Sequence, residues 1–288
     1  MKNWMIIIYM GLISLSFAPD KPAYKIFNAE GKKVKYSKMV KSLGEADIVF
    51  FGEQHNDPIA HWLQLELTRD LHSLVGEGLV LGAEMFESDN QLLLDEYLSG
   101  LIPLNKFEEE ARLWNNYKTD YKPLLEFAHD QGLPFVATNI PRRYANLVNR
   151  EGFEGLNSLS EDGKKLIPPL PVEYDPGLPG YKAMLEMGGM GHVLVSENLP
   201  KAEAIKDATM AHFILRHWSS GKLFLHYNGA YHSDNHEGIV WYIRRQQDDA
   251  RIMTISTVLQ EELDSLSAAS YGKADFVIVV PSTMTRTY

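Results

Sequence analysis

The sequence predicts an α/β fold in which a mostly parallel central sheet is flanked by helices. Three observations predict it. Short apolar runs alternate with stretches of helical period, the pattern of βαβ units. Two of those runs end in the same turn, Gly52-Glu53-Gln54-His55 and Gly229-Ala230-Tyr231-His232. Between the third and fourth runs the strand pattern lapses over about residues 144–218, which predicts a helical insertion covering the C-terminal ends of the strands. Ligands of open parallel sheets bind beyond those ends. Two Gly-x-x-His turns at that rim would bring two imidazoles and the Glu53 carboxylate together.

Residues 19–46 read as an irregular lead-in, with Tyr24-Lys25-Ile26-Phe27 and Val34-Lys35-Tyr36 as short edge strands around Gly31. Ile48 to Phe51 is the first central strand. Asp57-Pro58 then supplies an N-cap and a first-turn proline, and Trp62, Leu63, Leu67, Leu71 and Leu74 give helical spacing up to Val75. Leu79 to Ala83 is a second strand, ending at Glu84-Met85-Phe86-Glu87, and residues 89–98 form a helix. A helix at 123–131 stops at Gly132. Pro134 to Thr138 is a third strand, ending at Asn139-Ile140-Pro141-Arg142. In the insertion, residues 168–180 are a loop rich in Pro and Gly, and Ala202 to Trp218 is a long amphipathic helix. The sheet resumes with Leu223 to Tyr227, Arg251 to Ile255 and Asp275 to Val280.

Lys2, the apolar run from Trp4 to Ile13 and the small residues Ser16 and Ala18 read as a secretory signal over 1–18, leaving 19–288 as a single domain. This predicts export to the periplasm or cell surface. No Cys follows the run, so the chain is not a Cys-anchored lipoprotein. The chain contains no Cys at all, which removes disulfides, thiolate zinc sites and Cys nucleophiles. A formal net charge of -10 without a basic run leaves no electrostatic footprint for nucleic acid. No G-x-S-x-G elbow, Walker A loop or H-E-x-x-H helix occurs, and Gly188-Gly189-Met190-Gly191 follows a helical stretch instead of a strand.

The strand ends hold the unusual polar residues: Glu53 and His55, then Glu84 and Glu87, then Asn139 and Arg142, then Asn228 and His232, with His61 on the first helix. Charges crowd together at such a cost in hydration that each needs a partner or a use. The purely structural alternative is an Arg142–Glu84 ion pair locking the sheet edge. Tyr174, Tyr181, Met184, Met187 and Met190 form a second feature, either helix packing with Met as filler or a flexible apolar wall for a flat ligand. Tyrosinate is a known axial ligand of ferric haem.

Phe51-Gly52-Glu53-Gln54-His55 with His61 and Gln64, then Glu84-Met85-Phe86, Trp114 to Leu124, Thr138 to Arg142, Asp207 to Ala211 and Gly229 to His232 together resemble, in order, the ChaN-like haem-binding uptake family. That family groups with the Tiki/TraB and erythromycin-esterase-like proteins. The resemblance implies an exported haem-binding protein of haem or iron uptake. It also implies an outer-membrane haem receptor or transporter as partner, and a homodimer enclosing a cofacial haem pair. Haem is expected beneath residues 170–215, against Met184, with Tyr181 the preferred iron ligand, Tyr174 beside it, and Lys182 or Lys201 meeting the propionates. The alternative the superfamily implies is a metal-dependent peptidase or esterase. There His55, His232 and Glu53 would hold a divalent metal, with Glu53 or Glu84 as general base and Arg142 nearby.

Overall fold

The computed structural model describes residues 20–189 and 196–288. The segment 1–18, expected to be a secretory signal, lies outside the described residues, as do Met190, Gly191 and His192. Seven strands, β1 (Lys25–Asn28), β2 (Ile48–Glu53), β3 (Leu79–Glu87), β4 (Phe135–Asn139), β5 (Leu223–Gly229), β6 (Ile252–Gln260) and β7 (Phe276–Pro281), form one sheet in the order β1-β7-β6-β2-β5-β3-β4. Every neighbouring pair is parallel except β1 with β7.

The helices follow from where apolar residues recur. They are α1 (Tyr36–Leu43), α2 (Pro58–Val75), α3 (Gln91–Leu98), α4 (Leu104–Glu110), α5 (Lys122–Gln131), α6 (Arg142–Glu151), α7 (Glu161–Lys164), α8 (Pro179–Gly189), α9 (Leu199–His217) and α10 (Ile239–Arg244). Successive strand residues face opposite sides, and a parallel sheet covered on both faces needs apolar residues at both. So Val49, Phe51, Leu81 and Leu225 pack on Leu63, Leu67 and Leu71 of α2. Ile48, Phe50, Val80 and Phe224 pack on Met210, Ala211 and Ile214 of α9 and on Ile239 and Ile243 of α10.

Two placements differ from the sequence reading. Val34 to Tyr36 is not a strand. Phe27 makes only an isolated bridge to Lys33, and α1 begins at Tyr36 because Met39, Val40 and Leu43 fall on one buried helical face. Between α3 and α5, α4 and a π-helical turn at Tyr117–Tyr121 occupy a stretch to which the sequence reading assigned no element. The Asp57 cap is as expected, with its side chain accepting from the Ile59 and Ala60 amides. Gly132 closes α5 in the left-handed region at φ 64°.

The topology sets the site. β2 lies beside β5, with Gly52 opposite Asn228 and Glu53 opposite Gly229. The two Gly-x-x-His turns therefore leave adjacent strands at the same level. The edge strand β4 is guarded by Gln91. Its side-chain amide donates to the Phe135 carbonyl (3.1 Å) and accepts from the Ala137 amide (2.6 Å), taking the place of a further strand.

Candidate functional site

Glu53 ends β2 and is buried, with both carboxylate oxygens engaged. Tyr121 donates to Oε1 (2.7 Å), His55 Nδ1 lies 2.9 Å from the same oxygen, and Gln64 donates to Oε2 (2.5 Å). The π-helical turn that aims Tyr121 also presents Asn116 and Asp120. Asn116 donates to the His55 carbonyl (3.0 Å) and to Asp120 (2.7 Å), while His61 Nε2 stands 3.1 Å from the His55 carbonyl. One residue thus has its ring and its backbone both fixed. Burial pulls the His55 imidazole down, but the Glu53 hydrogen bond and the nearby Glu84 charge outweigh that and raise it above its ordinary value.

The second turn is built differently. His232 is buried, with Nδ1 2.5 Å from Asp207 and Nε2 3.3 Å from both Glu84 and Glu203. Both ring nitrogens face carboxylates, so both carry protons. The desolvation that would neutralise the ring is overcome by Glu84, Glu203 and Asp207, which hold it well above the usual imidazole range. Glu84 is buried too, and His232, His55 and the Gly229 amide (2.8 Å) hold it well below the ordinary carboxylate range. Lys206 binds Glu203 at 2.8 Å, and Tyr181 donates to Asp207 at 2.7 Å. Beneath the turn His226 is sealed between Thr138 (2.8 Å) and Asn228 (3.1 Å), and burial lowers it to about 4, so it stays neutral.

The glycines of the two motifs serve each other. A Cβ on Gly52 would lie 2.8 Å from the Ile255 carbonyl oxygen and 2.9 Å from Cα of Ala230, inside the second motif. A Cβ on Gly229 would lie 2.8 Å from Cε1 and Nε2 of His55, in the first. Each turn leaves the space that the other fills.

Both turns open on one cavity of about 1010 Å³ at the strand ends, lined in common by Glu53, His55, Glu84, Asn139, Arg142 and His232. A model of the haem-binding uptake family, Tiki superfamily, ChaN, matches residues 39–243. The chain belongs to this family. It is 27% identical over 206 residues to Protein RETICULATA-RELATED 5, chloroplastic, of Arabidopsis thaliana, covering 67% of this chain and 27% of that protein. It therefore spans about a quarter of the length of that curated relative. The structure superposes on ChaN of Campylobacter jejuni, described with cofacial heme binding, at a TM-score of 0.68 and 19% identity, over 90% of this chain and 97% of that one. A succinoglycan biosynthesis protein superposes at 0.51 with 11% identity, over 88% and 94%. At these identities the structural likenesses establish the fold.

Against this ChaN-family background, several expected positions fall elsewhere. Tyr181 is 3% exposed with its hydroxyl committed to Asp207, so it supports the second turn from behind. None of Tyr181, Tyr174, Lys182 and Met184 lines the cavity. Lys182 is exposed near Glu186, and Tyr174 packs its ring on Tyr181. The Arg142–Glu84 pair does not form. Glu84 takes His232 instead, and among the described residues Arg142 makes no ion pair and lines the cavity. His61 stands behind the cavity wall. Among the described residues no three His, Cys, Asp or Glu side chains are grouped to hold a metal ion. Glu53 is taken up by Tyr121, Gln64 and His55 Nδ1, and His232 by Asp207 and Glu84, so the three are not gathered as a ligand set. The residues that sequence reasoning left without a role are Glu203, Lys206, Asp207, Tyr121, Asn116 and Trp114. The signal for Asp207 was present: an acid inside the apolar stripe of Ala204, Ile205 and Ala208.

Proposed function

We propose that this protein binds haem in the strand-end cavity and acts in haem or iron uptake. Family membership gives the ligand class, and the observation that carries the assignment is the lining of the cavity. Leu113, Trp114, Ile140, Ala145 and Tyr231 offer an apolar and aromatic wall, while Arg112, Arg142, Lys206 and Lys273 offer cations. A flat apolar macrocycle with two carboxylates needs both. These residues fit haem. His55 is the donor in the lining able to meet iron, and Arg142, without a carboxylate of its own among the described residues, is the best placed for a propionate. When bound, haem would supply the iron and its axial-ligand chemistry. Export by the segment 1–18 to the periplasm or cell surface, delivery to an outer-membrane receptor or transporter, and a homodimer of the kind a cofacial haem pair would require belong to the same reading.

Hemin titration followed at the Soret band tests it. A saturable shift is expected in the wild type, several-fold weaker in Arg142→Gln, and unchanged in Tyr181→Phe. Absence of any saturable shift rejects the reading. One observation favours hydrolysis as a second reading: the His55 ring opens on the cavity with a buried carboxylate behind it, the arrangement of an oriented general base. Cleavage of an ester or peptide panel that is lost in His55→Ala, with hemin inert, would move the assignment there.

A further inference from the structure

We propose that the segment after β7, residues 282–288, is part of the ligand site, with Tyr288 forming a stacking wall at the cavity mouth. This rests on the haem reading above. The segment turns back at Ser282, whose amide donates to the Gln260 carbonyl (2.8 Å), and at Met284, which bonds the Pro281 carbonyl (2.9 Å). It then runs to the loop after the first Gly-x-x-His turn, hooked twice there and once to the neighbouring π-helical turn. The Arg286 guanidinium lies 3.1 Å from Asp57, the Thr287 amide donates to the Asn56 carbonyl (3.0 Å), and the Thr287 hydroxyl donates to Asp120 (3.0 Å).

The anchor points are not surface acids. Asp57 is fully buried and caps α2 with its other oxygen, and Asp120 belongs to the network that holds His55 and His61. The segment is tied to the groups that set the first turn. What the hooks deliver is Tyr288, which lines the cavity while the residue remains 65% exposed. The ring is thus held at the mouth with little protein covering it. Trp114 lies beside the same turn, its ring 5.0 Å from that of His55. Two aromatic side chains at one mouth suit a planar conjugated ligand, since offset aromatic stacking adds to simple burial. Burial and the Glu53 and Asp120 charges raise the phenol of Tyr288, which disfavours a phenolate bound to iron. The ring, not the oxygen, is the working part.

The test is the rate at which hemin passes from the loaded protein to apomyoglobin. Tyr288→Ala is expected to release hemin about three- to tenfold faster. Tyr288→Phe should match the wild type, and Arg286→Ala should accelerate release by freeing the segment while keeping the ring. Thermal melting of Tyr288→Ala is expected to stay with the wild type, because the side chain is exposed. If the wild type binds hemin and Tyr288→Ala releases it at the same rate, the wall is wrong and the haem reading stands. If Tyr288→Phe is as fast as Tyr288→Ala, the phenol oxygen acts and the stacking assignment fails. If the wild type shows no saturable hemin binding, the haem reading falls and the wall falls with it.

Discussion

Gly52 and Gly229 are the same letter in the same motif, yet their substitution has different consequences. An alanine at 52 meets backbone on both sides, the Ile255 carbonyl and Cα of Ala230, neither of which can move without shifting a strand. Gly52→Ala is expected to lower stability by about 2–3 kcal/mol, read as a fall in the urea midpoint. An alanine at 229 meets the His55 ring, a half-exposed side chain held by its one bond to Glu53, which yields at less cost than backbone. Gly229→Ala should leave the midpoint nearly unchanged but shift the His55 imidazole resonances and weaken hemin binding. Glu84 and His232 set a pH window. His232 is raised above its ordinary 6.5, so its contribution is complete below that value and is lost as pH rises through the folded pKa. Glu84 is lowered from 4.5, so its contribution is complete above that value and is lost as pH falls through the folded pKa. Stability should therefore hold from about pH 5 through neutrality and decline on the alkaline side. Glu84→Gln removes one of three carboxylates around the imidazolium. It should cost about 3 kcal/mol and bring the alkaline decline to lower pH, measured by urea unfolding across pH.

Among the elements, β4 shows how an edge is closed by a single side chain. Gln91→Leu keeps the volume but leaves the Phe135 carbonyl and the Ala137 amide without that partner. A loss of about 1–3 kcal/mol is expected, with faster hydrogen exchange at Ala137 as the specific sign. The strands and the large helices were legible in the sequence because period and burial agree: Ile48 to Phe51 is buried on every residue, and Asp57-Pro58 announces α2 with a cap that forms. The two turns were legible because each follows such a strand. The segment between α3 and α5 was not, since α4 buries only Phe107 and the π-helical turn has no side-chain period of its own. The placing of Tyr181 failed for a different reason. A tyrosine on an amphipathic helix reads the same whether it faces a ligand or a buried acid. Only the fold reveals that α9 turns Asp207 inward to meet it. The same helix explains why the cluster is larger than the motifs. α9 packs its later turns on the sheet and brings Glu203, Lys206 and Asp207 to the second imidazole.

On the scale of the whole molecule, charge opposes the ligand from a distance and favours it at one contact. The formal net charge is -10, so a dianionic ligand approaches against a repulsive field. The cavity lining sets Glu53, Glu84, Glu87, Glu203 and Asp234 against four cations, and most of the cations are already engaged: Arg112 with Glu87 and Asp89, Lys206 with Glu203, Lys273 with Asp234. Arg142 alone of the four has no carboxylate among the described residues. Salt screens charges separated by more than about 8–10 Å far more than a contact pair. Raising ionic strength should therefore weaken the long-range repulsion while sparing the Arg142 contact. The association rate of hemin, followed by stopped-flow at the Soret band, is expected to rise about twofold between low and physiological salt. A binder that relied on a basic surface would slow down instead. In Arg142→Glu the local term joins the repulsion. Association should become slower at every salt concentration, and its rise with salt steeper. A wild-type rate that falls with salt would mean that the cations of the rim, and not the overall charge, govern approach.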